Sequence, residues 1–500
     1  MENSDVEPGG EQFGTCSLAP ASLILIAAIV AFALEIRSVL AVNGWWLDEY
    51  FSLWSTDPSL TFIEAFTQRF KDPNPPLYYT ALFWIRHLVA DERAAVLLLN
   101  LTAIAIGLSA TWMASAKSRT AGWPLAAAAA FLVSGPTLRY VVEARTYMIA
   151  LTTAFVASWL TALAIEVRDK RPDLIAYALA GAFSGLAHLY AALVCCCLAT
   201  GLFGLSLAHQ RRDLMLPAIA LGLSAGIFAL GFLIWVTDLP PLVSIQFTYR
   251  SVVAAYSEFI QLALGSRTAA LLFLALFGTS LFLQPTRRLA AAFGLAWALF
   301  VLIPLAASLK QPVIVGRYLL IATPSLIVFV IFLMRALAPF QVKPLQSQLY
   351  RLALLACLAY FCLAEANGYV QAHTLTSEKS IWKGAGVVAA HVTNCHPGSI
   401  HVYPGVTWLF ATASHASASL FVDAERTDTR FLALADSKCL VLGWAEHIYH
   451  GIGANIGAEN FVLNASAEEL LRIVKIDASP SEVNIDRHWS GFVVTKRLRR

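Results

Sequence analysis

An acidic pair follows the first long apolar segment of the chain. In the stretch VNGWWLDEYFSLW, residues 42–54, Asp48 and Glu49 lie among three tryptophans, a tyrosine and a phenylalanine. A carboxylate held among indole rings has a raised pKa and can act as a general base. The alternative is a solvated turn beside an aromatic belt, which is common where membrane helices end. Adjacent residues point to different sides, so only one of the two acids can face a reaction directly.

Four further stretches carry polar residues of the kinds that bind anions or position a substrate. They are KDPNPPLYY (71–79), RYVVEARTY (139–147), HLY (188–190) and KQPVIVGRY (310–318). The planar guanidinium of arginine suits phosphate, so Arg145 and Arg317 are the predicted phosphate ligands. For Arg139 and Glu143, four residues apart, the alternative is an ion pair that only ties a helix end. For Arg317, the alternative is a side chain that reaches from an apolar span to the membrane interface.

The remaining candidates are predicted to line a cavity. They are Asn74, Pro76, Tyr78, Tyr79, Glu143, Tyr147, His188, Tyr190 and Tyr318. The three prolines within residues 73–76 make that loop rigid, so it positions groups rather than reacts. Glu143 and Tyr147 would share one face if their stretch were helical. For His188 and Tyr190, packing at a helix end remains the alternative.

Membrane helices must position these residues. The chain has 500 residues, of which 58% are hydrophobic and 13% charged, and this composition excludes an ordinary soluble protein. Apolar runs predict eleven spans, at 18–42, 93–116, 121–138, 142–166, 173–190, 192–208, 214–237, 266–284, 288–308, 314–336 and 349–370. The segment Pro76–Ala90 carries Arg86 and His87 and is short, so it predicts an interfacial or re-entrant helix.

Lysine and arginine residues predict the orientation of these spans. Short basic loops, such as the one with Arg211 and Arg212, alternate with loops in which basic residues are mixed with acids and aromatics. The positive-inside rule places the short basic loops in the cytoplasm. The tail 1–17 is then cytoplasmic, the loop 43–92 is external, and the candidates above gather at the external leaflet. Ionisable groups at membrane depth are costly, so this clustering predicts a cavity.

Residues 371–500 differ from the membrane segment 18–370. Short strand-like runs alternate with helical patterns there, which predicts a small external α/β domain. On the oxidising side of the membrane a disulfide between Cys395 and Cys439 is plausible, with two free buried thiols as the alternative. No cysteine spacing suggests a metal site.

The ordered motifs of the chain resemble the GT-C superfamily of membrane glycosyltransferases. They are WLDEYFSLW, NPPLYY, RYVVEARTYMIAL, HLY and GRYLLIATPSL, between about residues 45 and 325, and EKSIWKGAGVVAAHV is similar to the opening of the external domain in bacterial members. The strongest similarity is to the protein O-mannosyltransferase-like branch, which includes bacterial lipid A sugar transferases. The resemblance implies a polytopic helical membrane fold with an extracytoplasmic α/β domain.

The same resemblance implies a function. The protein would be an inverting transferase in the bacterial inner membrane, moving a sugar from a polyprenyl-phosphate donor to lipid A or lipopolysaccharide, another envelope glycan or a protein hydroxyl. Asp48 matches the acidic position of the family and would be the base, with Glu49 as its neighbour. Arg145 and Arg317 match basic positions and would hold the leaving phosphate. The resemblance implies no metal and no cofactor beyond the donor substrate.

Two other functions remain open from the sequence. A transporter or flippase for a lipid-linked anion would also need arginines and an amphiphilic cavity, but transporters often show paired halves, which are not evident here. A non-catalytic membrane scaffold would bind a partner through its external domain and would not depend on Asp48. No nucleic-acid partner is expected.

Overall fold

The structure, a computed structural model, describes most of the membrane segment and parts of the C-terminal region. The described residues are 18–42, 45, 47–69, 74–116, 122–166, 173–235, 249–284, 286–309, 313–337, 400–402, 411–412, 417–423, 441–444, 465–473, 479–488 and 491–496. They belong to two compact units, Met1–Ser38 with Thr61–Thr374 and Val39–Leu60 with Leu375–Arg500. The tail 1–17, the predicted span 349–370 and the cysteines Cys395 and Cys439 lie outside the described residues.

Up to residue 337 the described chain is helical. The helices are α1 (Leu18–Val42), α2 (Leu47–Ser55), α3 (Phe62–Arg69), α4 (Leu77–Leu88), α5 (Glu92–Ala116), α6 (Gly122–Val133), α7 (Gly135–Tyr140), α8 (Tyr147–Glu166), α9 (Leu174–Ala187), α10 (Leu189–Ala208), α11 (Met215–Trp235), α12 (Tyr249–Leu264), α13 (Arg267–Phe282), α14 (Arg287–Ser308), α15 (Gly316–Leu319) and α16 (Thr323–Leu337). Helix α2 and the end of α1 belong to the second unit, and the other helices belong to the first.

Seven helical segments within the described residues are long and apolar enough to cross a membrane. They are α1, α5, α8, α10, α11, α14 and the α15–α16 segment, and the count is eight if the bent pair α12–α13 forms one span. The apolar helices α6 and α9 are shorter. The protein is therefore a multi-span helical membrane protein. The short helix predicted at Pro76–Ala90 is present as α4.

Helix α12 lies where the sequence analysis placed a connection, between the predicted spans 214–237 and 266–284. It meets α13 at an angle of 78°. Gly265 makes this bend because its φ of 72° lies in the left-handed region that favours glycine. Ser266 then begins α13, since its hydroxyl accepts a hydrogen bond from the amide of Ala269.

Small residues bring several membrane helices of the first unit close together. A Cβ at Gly185 on α9 would lie 2.8 Å from the carbonyl oxygen of Ala225 on α11. A side chain at Gly201 on α10 would likewise collide with the carbonyl of Ala292 on α14. Since lipid provides no hydrophobic drive between helices, such close backbone contact is a main source of their association.

The second unit contains a five-stranded mixed sheet. Its strands are β1 (Ile400–Val402), β2 (Phe421–Asp423), β3 (Val441–Trp444), β4 (Val483–His488) and β5 (Gly491–Lys496), in the order β2-β1-β3-β5-β4. Strand β1 runs parallel to β2 and β3, whereas β5 is antiparallel to β3 and β4. Helix α17 (Ala467–Ile473) begins with a capping box, in which Ser466 and Glu469 exchange hydrogen bonds. This is the predicted α/β character.

Candidate active site

A buried loop carries two of the predicted site residues. Residues 141–146 form turns between α7 and α8. Helix α8 therefore begins at Tyr147, and the prediction of a span from residue 142 was wrong at this end. The backbone carbonyl oxygens of a buried loop in a membrane protein have little access to water, so they need hydrogen-bond donors within the protein. The conformation of the 141–146 loop therefore depends on which side chains donate hydrogen bonds to these carbonyl oxygens.

Asn100 supplies these partners. It lies on α5 with its side chain fully buried, and its Nδ2 donates hydrogen bonds to the carbonyl oxygens of Val141 at 2.9 Å and Glu143 at 3.1 Å. The hydroxyl of Thr146 donates in turn to the carbonyl of Ala187 at the end of α9. A single amide on a membrane helix thus sets the shape of the loop. The sequence analysis missed Asn100, although an amide within an apolar span is itself an unusual signal.

The start of α4 lies against this loop. Tyr78 and Tyr79 are fully buried, and Asn74 is 4% exposed in the turn that precedes the helix. Arg145 donates from Nη1 to the hydroxyl oxygen of Tyr79 at 3.0 Å. The hydroxyl of Tyr78 donates to the Glu143 carbonyl oxygen at 3.5 Å. The structure therefore brings these predicted residues of two distant sequence motifs together.

Arg69 fixes the proline-rich turn from the other side. Its Nη1 donates to the carbonyl oxygen of Pro76 at 3.2 Å and to the hydroxyl of Thr80 at 2.9 Å. Burial lowers the pKa of Arg69 to about 10, while Tyr79 opposes the shift. The side chain stays positively charged near neutral pH and holds the half-buried Pro76 in place.

Arg139 links two carboxylates from different helices. Its Nε lies 3.7 Å from Oε1 of Glu143, which is the ion pair considered from the sequence. Its Nη1 also donates to Oε1 of Glu258 on α12, at 3.3 Å. Gly316 leaves room for this carboxylate, because a Cβ there would collide with it. The sequence analysis missed Glu258 because it had placed no helix over residues 249–264.

The segment that carries Arg317 is held by two tyrosine hydroxyls. Tyr190 donates to the carbonyl oxygen of Val313 at 2.6 Å, and Tyr140 donates to the carbonyl oxygen of Arg317 at 3.3 Å. Tyr318 lies against a cluster of rings. Its ring centroid is 5.1 Å from His188, 5.3 Å from Tyr190 and 6.2 Å from Tyr147. Four predicted cavity residues therefore form one aromatic cluster.

His188 stands in this cluster, in the connection between α9 and α10. Its Nδ1 accepts a hydrogen bond from the backbone amide of Tyr190 at 3.0 Å and so caps α10. Burial, and then the positive charges of Arg145 and Arg317, lower the pKa of His188 to about 3. The ring is therefore neutral at physiological pH. The guanidinium of Arg317 lies 5.5 Å from the ring centroid of Tyr318, and Thr146, next to Arg145, donates to the carbonyl of Ala187, next to His188.

The acidic pair belongs to the second unit. Asp48 and Glu49 lie in the first turn of α2, where the partial positive charge of a helix start favours acids. Glu49 is 3% exposed, whereas Asp48 is half-buried. The pair begins a helix, and its two carboxylates have different surroundings. Among the residues that the structure describes, no group of three or more His, Cys, Asp or Glu could hold a metal ion.

No protein-family model matches the sequence, and no curated protein matches it. Among solved structures, the chain is similar to the crystal structure of ArnT from Cupriavidus metallidurans bound to undecaprenyl phosphate. The similarity covers 96% of this chain and 98% of the ArnT chain, with a TM-score of 0.56 and 11% sequence identity. The chain has the GT-C fold.

At the level of the fold, this likeness confirms the GT-C resemblance and the fold class inferred from the ordered motifs. At 11% identity the likeness concerns the fold, and the chemistry has to be argued from the side chains. Within the GT-C fold of this chain, those side chains are the two arginines, the neutral histidine and the tyrosines around them.

Proposed function

We propose that the protein is an inverting glycosyltransferase that takes a sugar from a polyprenyl-phosphate donor. The observation that carries the proposal is the position of Arg145 and Arg317 around the buried His188, in a chain with the GT-C fold. The guanidinium of Arg317 lies 5.5 Å from the ring centroid of Tyr318, which is 5.1 Å from His188. Thr146, next to Arg145, bonds to Ala187, next to His188. The solved neighbour with this fold was crystallised with undecaprenyl phosphate. Two arginines beside an uncharged ring form an electropositive site, which suits a phosphate group.

The chemistry of the donor matches such a site. A polyprenyl chain is too apolar to leave the bilayer, so its head group must be bound at the membrane surface. When the glycosidic bond breaks, negative charge develops on the phosphate that leaves. Arginines already positioned there stabilise the transition state more than the ground state, and this difference accelerates the reaction. Phosphate needs no strong general acid to leave.

The acceptor hydroxyl needs a base, and Asp48 is the proposed one, with Glu49 as its neighbour. The family resemblance of WLDEYFSLW supports this assignment. The acceptor would be a hydroxyl of lipid A or lipopolysaccharide, of another envelope glycan or of a protein. The proposed site faces outward from the bacterial inner membrane, with the N-terminus cytoplasmic and the C-terminal domain periplasmic.

The test is donor consumption by the full chain in liposomes that contain polyprenyl-phosphate sugars. Asp48→Asn should lower the rate roughly 100- to 10,000-fold, as expected for the loss of a general base, and Glu49→Gln should lower it less. Asp91→Asn is the matched control. It removes an exposed carboxylate from the same loop but keeps the cap of α5, where Asp91 accepts from the amide of Ala94.

Full transfer by a correctly folded Asp48→Asn would show that Asp48 is not the base. Lipid that crosses the bilayer with no sugar released would replace the transferase with a flippase. If Asp48→Asn, Glu49→Gln and Asp91→Asn lowered the rate equally, the acidic pair would have no special role.

A further inference from the structure

The two ring nitrogens of His188 have different surroundings. Nδ1 accepts from the backbone amide of Tyr190 at 3.0 Å. An amide can only donate, so Nδ1 carries no proton. In the neutral ring the proton must then reside on Nε2, which is a hydrogen-bond donor. The capping contact at the start of α10 therefore fixes the tautomer.

This Nε2 donor is buried and has no hydrogen-bond partner in the part of the chain that the structure describes. His188 itself is only 3% exposed. Buried donors are almost always paired, because an unpaired one loses its hydrogen bond to water without compensation. The rings nearest to His188 are those of Tyr147, Tyr190 and Tyr318. An unsatisfied donor inside such a cluster indicates that a ligand supplies the acceptor.

The charges around the ring select the kind of acceptor. Arg317 lies with its guanidinium 5.5 Å from the ring centroid of Tyr318, which is itself 5.1 Å from His188. Arg145 precedes Thr146, whose hydroxyl donates to the carbonyl of Ala187, the residue before His188. An acceptor drawn to this position by two guanidinium groups carries negative charge, and phosphate oxygens are such acceptors. Among the described residues, no carboxylate has a hydrogen bond to the His188 ring.

We propose that Nε2 of His188 donates a hydrogen bond to an oxygen of the phosphate group that Arg145 and Arg317 bind. The inference rests on the proposed function, in which that phosphate belongs to a polyprenyl lipid. His188 is then a third phosphate ligand, but an uncharged one. The arginines supply attraction, whereas the tautomer-fixed ring supplies a single directed hydrogen bond that orients the head group.

Two variants separate the nitrogens of this ring. His188→Asn keeps a short acceptor that can cap the amide of Tyr190, since asparagine is a good N-cap residue, but it lacks the distal donor. His188→Gln places an amide donor near the Nε2 position and loses the cap. His209→Asn is the control, because His209 is exposed and lies at the other end of α10.

The measurement is binding of undecaprenyl phosphate to the full chain in nanodiscs, with thermal stability recorded without ligand. His188→Asn should bind roughly 10- to 100-fold more weakly than wild type, the effect expected for a hydrogen bond to a charged group, at nearly unchanged stability. His188→Gln should be less stable but should bind more tightly than His188→Asn, within about threefold of wild type. His209→Asn should bind like wild type.

Wild-type affinity in His188→Asn, or an affinity in His188→Gln as low as in a folded His188→Asn, would overturn the role of Nε2. If His188→Asn does not fold, weak binding by a folded His188→Gln overturns it. Undecaprenyl phosphate bound through His188 but never accompanied by sugar transfer would overturn the proposed function and keep this inference. A further outcome is that inorganic phosphate binds wild type as tightly as undecaprenyl phosphate does, and binds His188→Asn more weakly. That result would keep the hydrogen bond and assign the site to free phosphate instead of lipid. No binding of either would overturn both.

Discussion

The segment that carries Arg145 is held by a buried amide on α5, whereas the segment that carries Arg317 is held by tyrosine hydroxyls. In the first segment, Asn100 on α5 donates to two carbonyl oxygens of the 141–146 loop. Inside a membrane protein no water competes for those carbonyls. The loop therefore has one conformation that satisfies its backbone.

The second segment, residues 313–319, accepts one hydrogen bond from the hydroxyl of Tyr190 and one from the hydroxyl of Tyr140. Glu258 of α12 lies beside it, with a side chain that is 36% exposed. Each tyrosine supplies one hydrogen bond to this segment, whereas Asn100 supplies two to the other. If both arginines bind the phosphate as proposed, we expect Arg145 to be the more firmly positioned of the two.

The largest expected effect is that of Asn100→Leu, which keeps the volume of the side chain and removes both hydrogen bonds. Two buried carbonyls lose their partner, so the free energy of unfolding should fall by about 2–6 kcal/mol. Unfolding of the reconstituted protein in detergent measures this. Thr111→Val on the same helix is the control, since Thr111 donates only to the carbonyl of Gly107 one turn earlier. Equal losses in the two variants would contradict the special role of Asn100.

Gly316→Ala tests how tightly α12 lies against the second segment. The new Cβ would collide with the Glu258 carboxylate and lie 3.0 Å from the Glu258 Cβ. Overpacking costs about 1–3 kcal/mol, so kcat/KM should fall about 5- to 150-fold. The control is Gly278→Ala on α13, where a Cβ meets nothing within 4 Å. Unchanged transfer by Gly316→Ala would mean that α12 moves aside freely.

Tyr190→Phe removes one hydroxyl from the second segment. Losing its hydrogen bond to Val313 should cost about 1 kcal/mol and lower kcat/KM about fivefold, because Arg317 becomes less well positioned. Tyr177→Phe removes a bond of the same 2.6 Å length, to the carbonyl of Leu160. It should lower stability by a similar amount and leave kcat/KM unchanged. A similar loss of kcat/KM in both variants would point to a general effect on stability.

Glu258→Gln should have the smallest effect. The ion pair with Arg139 involves a partly exposed carboxylate, and such pairs contribute about 0–1 kcal/mol. Transfer should therefore fall less than fivefold, and the difference should shrink as salt rises. A larger loss that salt does not reduce would mean that Glu258 contacts the substrate.

The sequence predicted most of the membrane helices because long apolar runs have few alternatives in lipid. The prediction failed where polar residues interrupt the apolar pattern. Helix α12 carries polar residues such as Glu258 and Gln261 among its apolar ones, and this diluted the run. Strand β4, VNIDRH, was missed for the same reason. The strands β1, β2 and β3 lie within the strand-like runs SIHVYP, SLFVD and CLVLGW, and β5 overlaps the run FVVTKRL except at Gly491.

The site was predictable as a set of residues but not as a geometry. Arg145, Tyr79, His188 and Tyr318 could be selected because polar residues at one leaflet are unusual. The turn at 141–146 could not be predicted, since its shape depends on Asn100, which lies about 40 residues earlier in the chain. Contacts of this range have no local signal in a single sequence. The proposed roles of the site residues, including Asp48 and Glu49, stay predictions.

The uncharged state of His188 makes the charge of the proposed site insensitive to moderate acidification. If the site faces outward as proposed, a histidine of ordinary pKa there would gain charge as the medium turns acid. With its pKa at about 3, His188 does not. The arginines also keep their charge throughout this range. The proposed phosphate ligands would therefore carry the same total charge in neutral and in mildly acidic habitats.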